Sequence, residues 1–179
     1  MPDLAELIIE RGGNVTIVAA NLTLLDAEEL GVVQLAKAIG AAPPASWPPE
    51  HGGPQMFAWV RRLIEQHPEE PGYNTWFIVG DGMLCGTGGY KGPPDADGSV
   101  EVGYSVIPEA RRRGFASGAV HLLVERAFRD PRVKVVLAET LPEGVASQAV
   151  LRRFGFAEVG TRHDKDDGEV LCFELRRGD

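Results

Sequence analysis

Residues 99–120 read "SVEVGYSVIPEARRRGFASGAV", and within this stretch the chain changes from one pattern of secondary structure to another. The first part alternates and is rich in valine, which predicts a strand. The last part opens a segment, 114–130, whose apolar residues recur every three or four positions, which predicts an amphipathic helix. Three arginines and Gly114 lie between the two and form a short turn. The stretch is therefore predicted to fold as strand, turn and helix.

The rest of the chain adds strands and helices on both sides of this unit. A loop is predicted over 41–54, because its prolines fix φ and lack the backbone donor that a helix or sheet needs. In chain order we predict a strand in 15–25, helices in 23–40 and 55–67, two strands in 75–92 and one in 99–108, the helix of 114–130, a strand in 133–140, a helix in 146–156 and two strands in 156–176. The order β-α-α-β-β-β-α-β-α-β-β indicates an α/β fold with a mixed sheet in one domain.

Composition limits the classes of partner. The chain has 18 Lys and Arg against 26 Asp and Glu, a formal net charge of −8, so it should repel nucleic acid and anionic membranes. No stretch approaches the roughly 20 apolar residues of a membrane span, and the first residues do not resemble a leader. Cys85 and Cys172 lie in apolar, strand-like runs and are predicted to be small buried hydrophobes. The four histidines show no metal-ligand spacing. We expect a cytoplasmic protein without a metal site.

The turn before the 114–130 helix is predicted to bind phosphate. The first N–H groups of a helix have no partners inside the helix and carry the positive end of its dipole, and a glycine lets a phosphate come close. The neighbouring arginines add charge-assisted hydrogen bonds. The turn is neither a Walker loop nor a dinucleotide fingerprint, because it lacks both Gly-Lys-Ser/Thr and the G-x-G-x-x-G spacing. A nucleotide- or phosphate-binding α/β protein is one interpretation.

The same turn resembles the signature of the GCN5-related N-acetyltransferase (GNAT) family, Arg/Gln-x-x-Gly-x-Gly/Ala, here Arg111, Gly114 and Ala116. The resemblance implies that backbone N–H groups of the turn bind the pyrophosphate of acetyl-CoA and that the end of the preceding strand pairs with its pantetheine arm. It assigns cofactor contacts to Val106, Ile107, Arg111, Arg112, Arg113, Gly114, Phe115, Ala116 and Ser117. In this interpretation the pyrophosphate is bound by Gly114 and the free N–H groups. The arginine side chains attract it and hold it at the edge of the turn.

A second motif lies in the correct order along the chain. Residues 139–156, "ETLPEGVASQAVLRRFGF", are similar to the family's Asn-x-x-Ser/Ala block with its Gly-Phe pair. The resemblance implies a GNAT fold, with a mixed, mostly antiparallel sheet flanked by helices, as one domain over 1–179 with a cofactor half at about 76–160. The stretch "DGMLCGTGGYKG" leading to "VEVGYSV" is similar to the subgroup of ribosomal-protein N-terminal acetyltransferases.

Two positions depart from the family pattern. Gly144 stands where the family often has asparagine, and Leu151 stands where many members have a tyrosine that protonates the departing thiolate. Ser147 is the nearest hydrogen-bond donor in this motif, although a serine is a poor acid at neutral pH. We therefore assign Ser147 to the thiolate side of the reaction, in orientation or relay, beside its simpler role as a helix cap.

Acetyl transfer to an amine also requires a group that removes a proton. Glu101 is our candidate, because alternation turns it to the opposite face from Val100 and Val102 and so toward a cleft; an ordinary exposed strand residue is the alternative. A splay of the sheet after this strand would free an N–H near Val106 for the thioester oxygen. Tyr104, in the same strand, is interpreted as a packing residue.

The acceptor is predicted only as a class. Acetyl-CoA is the expected cosubstrate, and a primary amine on a small molecule or a protein N-terminus is the expected acceptor. Trp47, in the proline-rich loop, is assigned to substrate binding, with core packing as its alternative. The final hairpin offers an edge for a homodimer. A GNAT-like module that binds CoA without catalysis, as a sensor or interaction partner, is the alternative function, since Gly144 and Leu151 both depart from the pattern.

Overall fold

The computed structural model describes residues 7–178. Its strands are β1 Ile9–Gly12, β2 Val15–Ala19, β3 Thr75–Gly80, β4 Met83–Tyr90, β5 Ser99–Val106, β6 Val135–Thr140, β7 Ala157–Asp164 and β8 Gly168–Arg176. Its helices are α1 Leu22–Glu29, α2 Val32–Ile39, α3 Pro54–Gln66, α4 Phe115–Arg129 and α5 Val145–Arg153, and a short 3-10 turn covers Pro108–Ala110. None of the helices over 7–178 has the length and apolar content to cross a membrane.

The strands form one sheet in the order β1-β2-β3-β4-β5-β6-β8-β7. Neighbours are antiparallel throughout except β5 and β6, which are parallel because α4 carries the chain back along the sheet between them. The predicted meander of β3, β4 and β5 and the predicted final hairpin are both present. The α/β class with a mixed, mostly antiparallel sheet is confirmed.

Three local details differ from the sequence prediction. Strand β1 was not predicted; it has only four residues and pairs with β2 in a hairpin. The strand predicted over 15–25 ends at Ala19, because the side chain of Asn21 accepts a hydrogen bond of 2.9 Å from Leu24 N–H and starts α1. The helix predicted over 23–40 is divided into α1 and α2 at Gly31, whose φ of 123° is incompatible with a continuous helix.

The helices cover the two faces of the sheet unequally. One face carries α4 and α5, and its buried cluster joins Val100 and Val102 of β5 to Val120 and Leu123 of α4. The other face carries α1, α2 and α3 over β2, β3 and β4, with Phe77 among its buried residues. Glu101 belongs to this second face but lies on β5, next to the strands that α1, α2 and α3 cover.

The sheet opens between β5 and β6. The two strands pair from Ser99 with Val135 to Val102 with Ala138, and beyond that register the rest of β5 pairs only with β4. The edge of β5 from residue 103 to 106 is therefore left without a strand beside it. This opening is the splay that the sequence led us to expect, and it lies directly before the turn into α4.

Candidate active site

The turn between β5 and α4 has the geometry of an anion site. Arg112 adopts a φ of 59° and Gly114 a φ of 81°, so the backbone is left-handed at two of the four residues before Phe115. No side chain caps α4, which leaves the N–H groups of its first turn available. A Cβ built on Gly114 would meet no atom within 4 Å, so this position faces open space. Both features suit the close approach of a phosphate.

A cleft of about 800 Å³ lies beside this turn. It is bounded by the loop at Glu50 and His51, the end of β5, the turn with the start of α4, and the loop that leads into α5. The predicted site residues that line it are Val106, Arg111, Arg112, Gly114, Phe115, Ala116, Ser117 and Ser147. The two motifs of the sequence, at 111–116 and 139–156, thus form opposite walls of one cavity.

Two of the residues assigned to the cofactor lie elsewhere. Ile107 is fully buried and its N–H donates to the carbonyl of Cys85 at 2.9 Å. Arg113 forms an ion pair with Asp81 at 2.8 Å and lies over the ring of Phe115, 4.7 Å from its centroid. Ile107 thus contacts β4 and Arg113 contacts the turn between β3 and β4, and neither residue lines the cleft.

The open edge of β5 presents backbone groups to the cleft. Because Ile107 N–H points at β4, the alternation of a strand directs the N–H groups of Val106 and Tyr104 to the opposite, unpaired side. The carbonyl of Val106 on that side accepts a hydrogen bond of 3.3 Å from Arg111 Nε. The two N–H groups have no strand to bond, so this edge can pair with an extended ligand.

The proline-rich loop is tied to the same turn by acidic side chains. Arg111 pairs with Glu50 at 3.2 Å, and Glu109 accepts a hydrogen bond of 2.8 Å from Ser46 N–H. Hydrogen bonds from backbone N–H groups, its own and that of Ser46, lower the pKa of Glu109. The loop therefore closes one side of the cleft through two contacts with 109–111.

Trp47, in this loop, is half-buried between the two core clusters and not on the wall of the cleft. Its indole N–H donates to Glu28 at 3.2 Å, and its ring centroid lies 6.5 Å from that of Phe77. Burial raises the pKa of Glu28 against the opposing effect of that hydrogen bond. These contacts describe packing; a contact of Trp47 with substrate stays a prediction.

Glu101 lies on the face of β5 that is turned away from α4. Its carboxylate forms an ion pair with Lys91, the residue that follows β4, and one carboxylate oxygen is buried. Gly103, two residues on, has open space where a Cβ would stand. Burial raises the pKa of the Cys172 thiol, and the nearby carboxylates of Glu139 and Glu101 raise it further. Glu101 and the cleft are therefore on opposite sides of one strand, beside the splay.

Ser147 lies at the start of α5, on the wall opposite the turn. Its backbone carbonyl accepts a hydrogen bond of 3.2 Å from the hydroxyl of Tyr104, which also lines the cleft. Burial raises the pKa of Tyr104 to about 12. Leu151 is fully buried in the core and does not line the cleft. The sequence analysis interpreted Tyr104 as a packing residue and did not place its hydroxyl in the cleft. The alternation of β5 puts the side chains of Tyr104 and Val106 on the same face of the strand, which could have indicated this position.

Within residues 7–178, no three His, Cys, Asp or Glu side chains are grouped to hold a metal ion. The proposed site combines backbone N–H groups, the carboxylate of Glu101, the hydroxyl groups of Tyr104 and Ser147, and a splayed strand. Such a set can bind an anion at one end, hold an extended arm along β5 and accept a proton on the far face.

Known proteins are similar to this chain in sequence. The family model described as "Acetyltransferase (GNAT) domain" matches residues 17–157. An uncharacterized N-acetyltransferase of Bacillus subtilis, YjdG, is 25% identical over 138 residues, which is 76% of this chain and 82% of that protein.

Solved structures agree in fold. RimL, a ribosomal-protein alpha-N-acetyltransferase in complex with coenzyme A, superimposes with a TM-score of 0.70 at 18% identity, covering 96% of this chain and 98% of RimL. The ribosomal-protein-S5-alanine acetyltransferase of Vibrio fischeri gives a TM-score of 0.69 at 16% identity, covering 96% and 98%. Because the family model spans most of the chain, including the turn and the motif at α5, this protein belongs to the GNAT family of acetyltransferases.

Proposed function

We propose that this acetyltransferase moves the acetyl group of acetyl-CoA directly to a primary amine. The observation that carries the proposal is the continuity of the cleft, which runs from the uncapped helix start at Gly114 along the open edge of β5 to the splay. The Glu101 carboxylate lies beside the splay on the other face of β5. A ternary complex, in which the amine and the thioester meet at the splay, follows from this continuity. No covalent acyl-enzyme is needed.

The residues present fit a CoA molecule. Gly114 leaves room that a Cβ would fill, and neither α4 nor α5 has a side-chain cap at its start, so two sets of helix N–H groups border the cleft. We assign the pyrophosphate to the backbone from Arg111 to Ala116, and the arm to the N–H groups of Val106 and Tyr104 on the open edge of β5. When bound, acetyl-CoA supplies the activated acetyl group. RimL, which shares this fold, is known in complex with coenzyme A, which supports acetyl-CoA as the cosubstrate.

The chain's own groups handle the proton. An amine arrives as an ammonium ion and must lose a proton to become a nucleophile, and Glu101 is the carboxylate next to the splay on the face away from the cleft. Lys91 keeps that carboxylate paired until an acceptor enters. The N–H of Val106 is placed on the open side of β5, where it can hydrogen-bond the thioester oxygen. Ser147 serves the opposite, thiolate side.

The acceptor is proposed as a primary amine, on a protein N-terminus or on a small molecule. Proteins with this fold include a ribosomal L7/L12 alpha-N-protein acetyltransferase and a microcin C7 self-immunity acetyltransferase, which supports both kinds of acceptor. Several acidic residues besides Glu101 lie on the same face of β6 and β8, among them Glu139 and Glu174. They are paired with arginines, and we infer a polar acceptor rather than an apolar one.

The test is release of free thiol from acetyl-CoA over a panel of amines and peptides with free N-termini. We expect release that depends on an acceptor, and stabilisation against heat by CoA far above that by ATP. If CoA raises the melting temperature but no acceptor releases thiol, the chain is the silent CoA-binding module described above. Equal stabilisation by ATP and CoA would instead indicate a general phosphate site.

A further inference from the structure

Tyr104 lines the cleft described above. Tyr104 lies in the last four residues of β5, where the strand has no neighbour on its β6 side, and its side chain is on the face that α4 and α5 cover. The hydroxyl reaches the start of α5 and donates to Ser147 C=O at 3.2 Å. That distance is long for a bond from a hydroxyl, for which 2.7–2.8 Å is about the usual value. The hydroxyl is therefore only loosely engaged.

The course of the strand brings the thioester toward this hydroxyl. An arm anchored at the turn and extended along the open edge of β5 passes Val106 first and Tyr104 next, because β5 runs toward the turn. The opening ends two residues further back, where Val102 pairs with Ala138. Glu101 lies just beyond this point on the opposite face. The reacting sulfur, placed between the turn and the base, is thus confined to the neighbourhood of Tyr104 and Ser147.

We propose that Tyr104 is a catalytic residue whose hydroxyl turns from the Ser147 carbonyl to donate a hydrogen bond to the CoA sulfur as negative charge develops there. This inference rests on the proposed function. As the C–N bond forms and the C–S bond breaks, the electron pair of that bond passes to sulfur. The amine proton goes to Glu101, and the thiolate takes its proton from solvent on release.

The pKa of Tyr104 determines whether its hydroxyl only donates a hydrogen bond to the CoA sulfur or transfers its proton to it. Burial raises the pKa of Tyr104 to about 12, whereas an ordinary thiol has a pKa of about 8.5. Full transfer of the phenolic proton to the thiolate would therefore be uphill by more than three powers of ten. Tyr104 remains protonated and stabilises the thiolate as a donor, which a charge-assisted hydrogen bond does well in a partly dry site.

Other residues are less suited to this role. Leu151 has no donor and its side chain is fully buried in the core, so a tyrosine there would not enter the cleft without repacking. The hydroxyl of Ser147 is on the cleft wall, but a serine is the weaker hydrogen-bond donor of the two. We therefore assign to Tyr104 the role at the thiolate that the family pattern gives to a tyrosine at the position of Leu151.

The decisive measurement is the pKa of the CoA thiol when CoA is bound, followed by the ultraviolet absorbance of the thiolate during a pH titration. In the wild-type protein we expect this pKa to lie below that of free CoA, since a donor favours the charged form. In Tyr104→Phe we expect it to rise by about one unit, a tenfold change in acidity, which is the effect of one hydrogen bond to a charged group. This readout needs no turnover.

Tyr90→Phe is the matched control. Tyr90 is a buried tyrosine on β4 whose hydroxyl donates to the backbone carbonyl of Leu123 in α4 at 2.6 Å, and it does not line the cleft. Both variants lose one hydroxyl and one hydrogen bond to a helix carbonyl. Only Tyr104→Phe should change the thiol pKa and lower kcat, by about tenfold, with the acetyl-CoA Kd unchanged.

Replacement of Tyr104 by fluorotyrosine keeps the shape of the ring and makes the phenol a stronger donor, so it should lower the bound thiol pKa further. An equal thiol pKa in wild type, Tyr104→Phe and the fluorotyrosine protein would overturn the role of Tyr104 while leaving the acetyltransferase proposal intact. Absence of CoA binding by the wild-type protein would instead remove the proposed function itself.

Discussion

The ammonium of Lys91 is paired with the carboxylate of Glu101, across the end of β4 and the middle of β5. The candidate base is thus paired with a cation that belongs to the same chain and is itself about half exposed. An acceptor ammonium that enters from solvent can replace Lys91 as the partner. This relationship supports the proposed role of Glu101 in the reaction, for which its position in an alternating strand was the earlier argument.

Glu101→Gln should lower kcat by about a hundredfold or more, because the amide cannot accept the proton of the amine. CoA binding, measured by calorimetry, should be unchanged, since Glu101 lies on the face of β5 away from the cleft. Glu174→Gln is the control, as Glu174 lies on the same sheet face and is paired with Arg176. Similar losses in both variants would mean that the carboxylates support the fold rather than the chemistry.

Gly114→Val should weaken CoA binding by about a hundredfold or more. The substitution combines an unfavourable φ of 81° with a branched side chain placed in the open space that we assign to phosphate. Arg112→Ala, which removes an exposed charge but keeps the backbone, should cost less than about tenfold.

Arg112→Gly distinguishes the contribution of the arginine side chain to CoA binding from that of the backbone of the same turn. Glycine tolerates the φ of 59° found at this position, so the variant removes the side chain without adding strain. Its CoA affinity should match that of Arg112→Ala. If either Arg112 variant binds CoA more weakly than Gly114→Val, the arginine side chain, and not the backbone cradle, holds the phosphates.

Gly86→Ala should destabilise the protein by about 2 kcal/mol. A Cβ at this position of β4 would collide with the carbonyl of Ser105 and lie 3.1 Å from Val106 Cα, so the paired strands must separate. Gly103→Ala on β5 is the control, because no atom lies within 4 Å of its Cβ and its φ is not positive. Urea unfolding measures both. Equal free energies of unfolding would show that β4 and β5 do not approach as closely as described.

Stability below neutral pH should depend on Asp130, which follows α4. Hydrogen bonds from Arg132, and then from Tyr73 at 2.7 Å, lower the pKa of Asp130 well below its usual range. A carboxyl group with a lowered pKa stabilises the folded state fully above its unfolded pKa of about 3.9, and the contribution disappears as the pH falls further toward the folded value. The stabilisation should therefore be complete at neutral pH and decline below about pH 4.

Asp130→Asn tests this expectation by urea unfolding at neutral pH and at about pH 3. The variant should be less stable than wild type by about 1 kcal/mol at neutral pH, allowing for partial exposure of the pair, and the difference should shrink in acid. Asp26→Asn, which breaks an exposed ion pair with Arg61, should differ little from wild type at either pH. A difference for Asp130→Asn that grows in acid would contradict the assignment.

Much of the fold could be predicted because its signals are local. The apolar spacing of α4, the alternation of β5 and the turn residues of the final hairpin each specify an element without reference to the rest of the chain. The elements that were missed or merged have weak local signals: β1 is a four-residue strand that depends on its pairing with β2, and Gly31 divides α1 from α2 through a backbone angle that the letter sequence does not show.

The sequence by itself determined the turn at Arg111 to Ala116 and led to the prediction that it binds phosphate, because a glycine and an uncapped helix start act through the backbone of neighbouring residues. Only the tertiary structure decided what surrounds the turn. In the folded chain the Tyr104 hydroxyl contacts the backbone carbonyl of Ser147, Leu151 is buried in the core, and Glu101 pairs with Lys91. These relationships join residues from separate strands and helices, and their positions depend on the packing of the whole sheet rather than on any short pattern of letters.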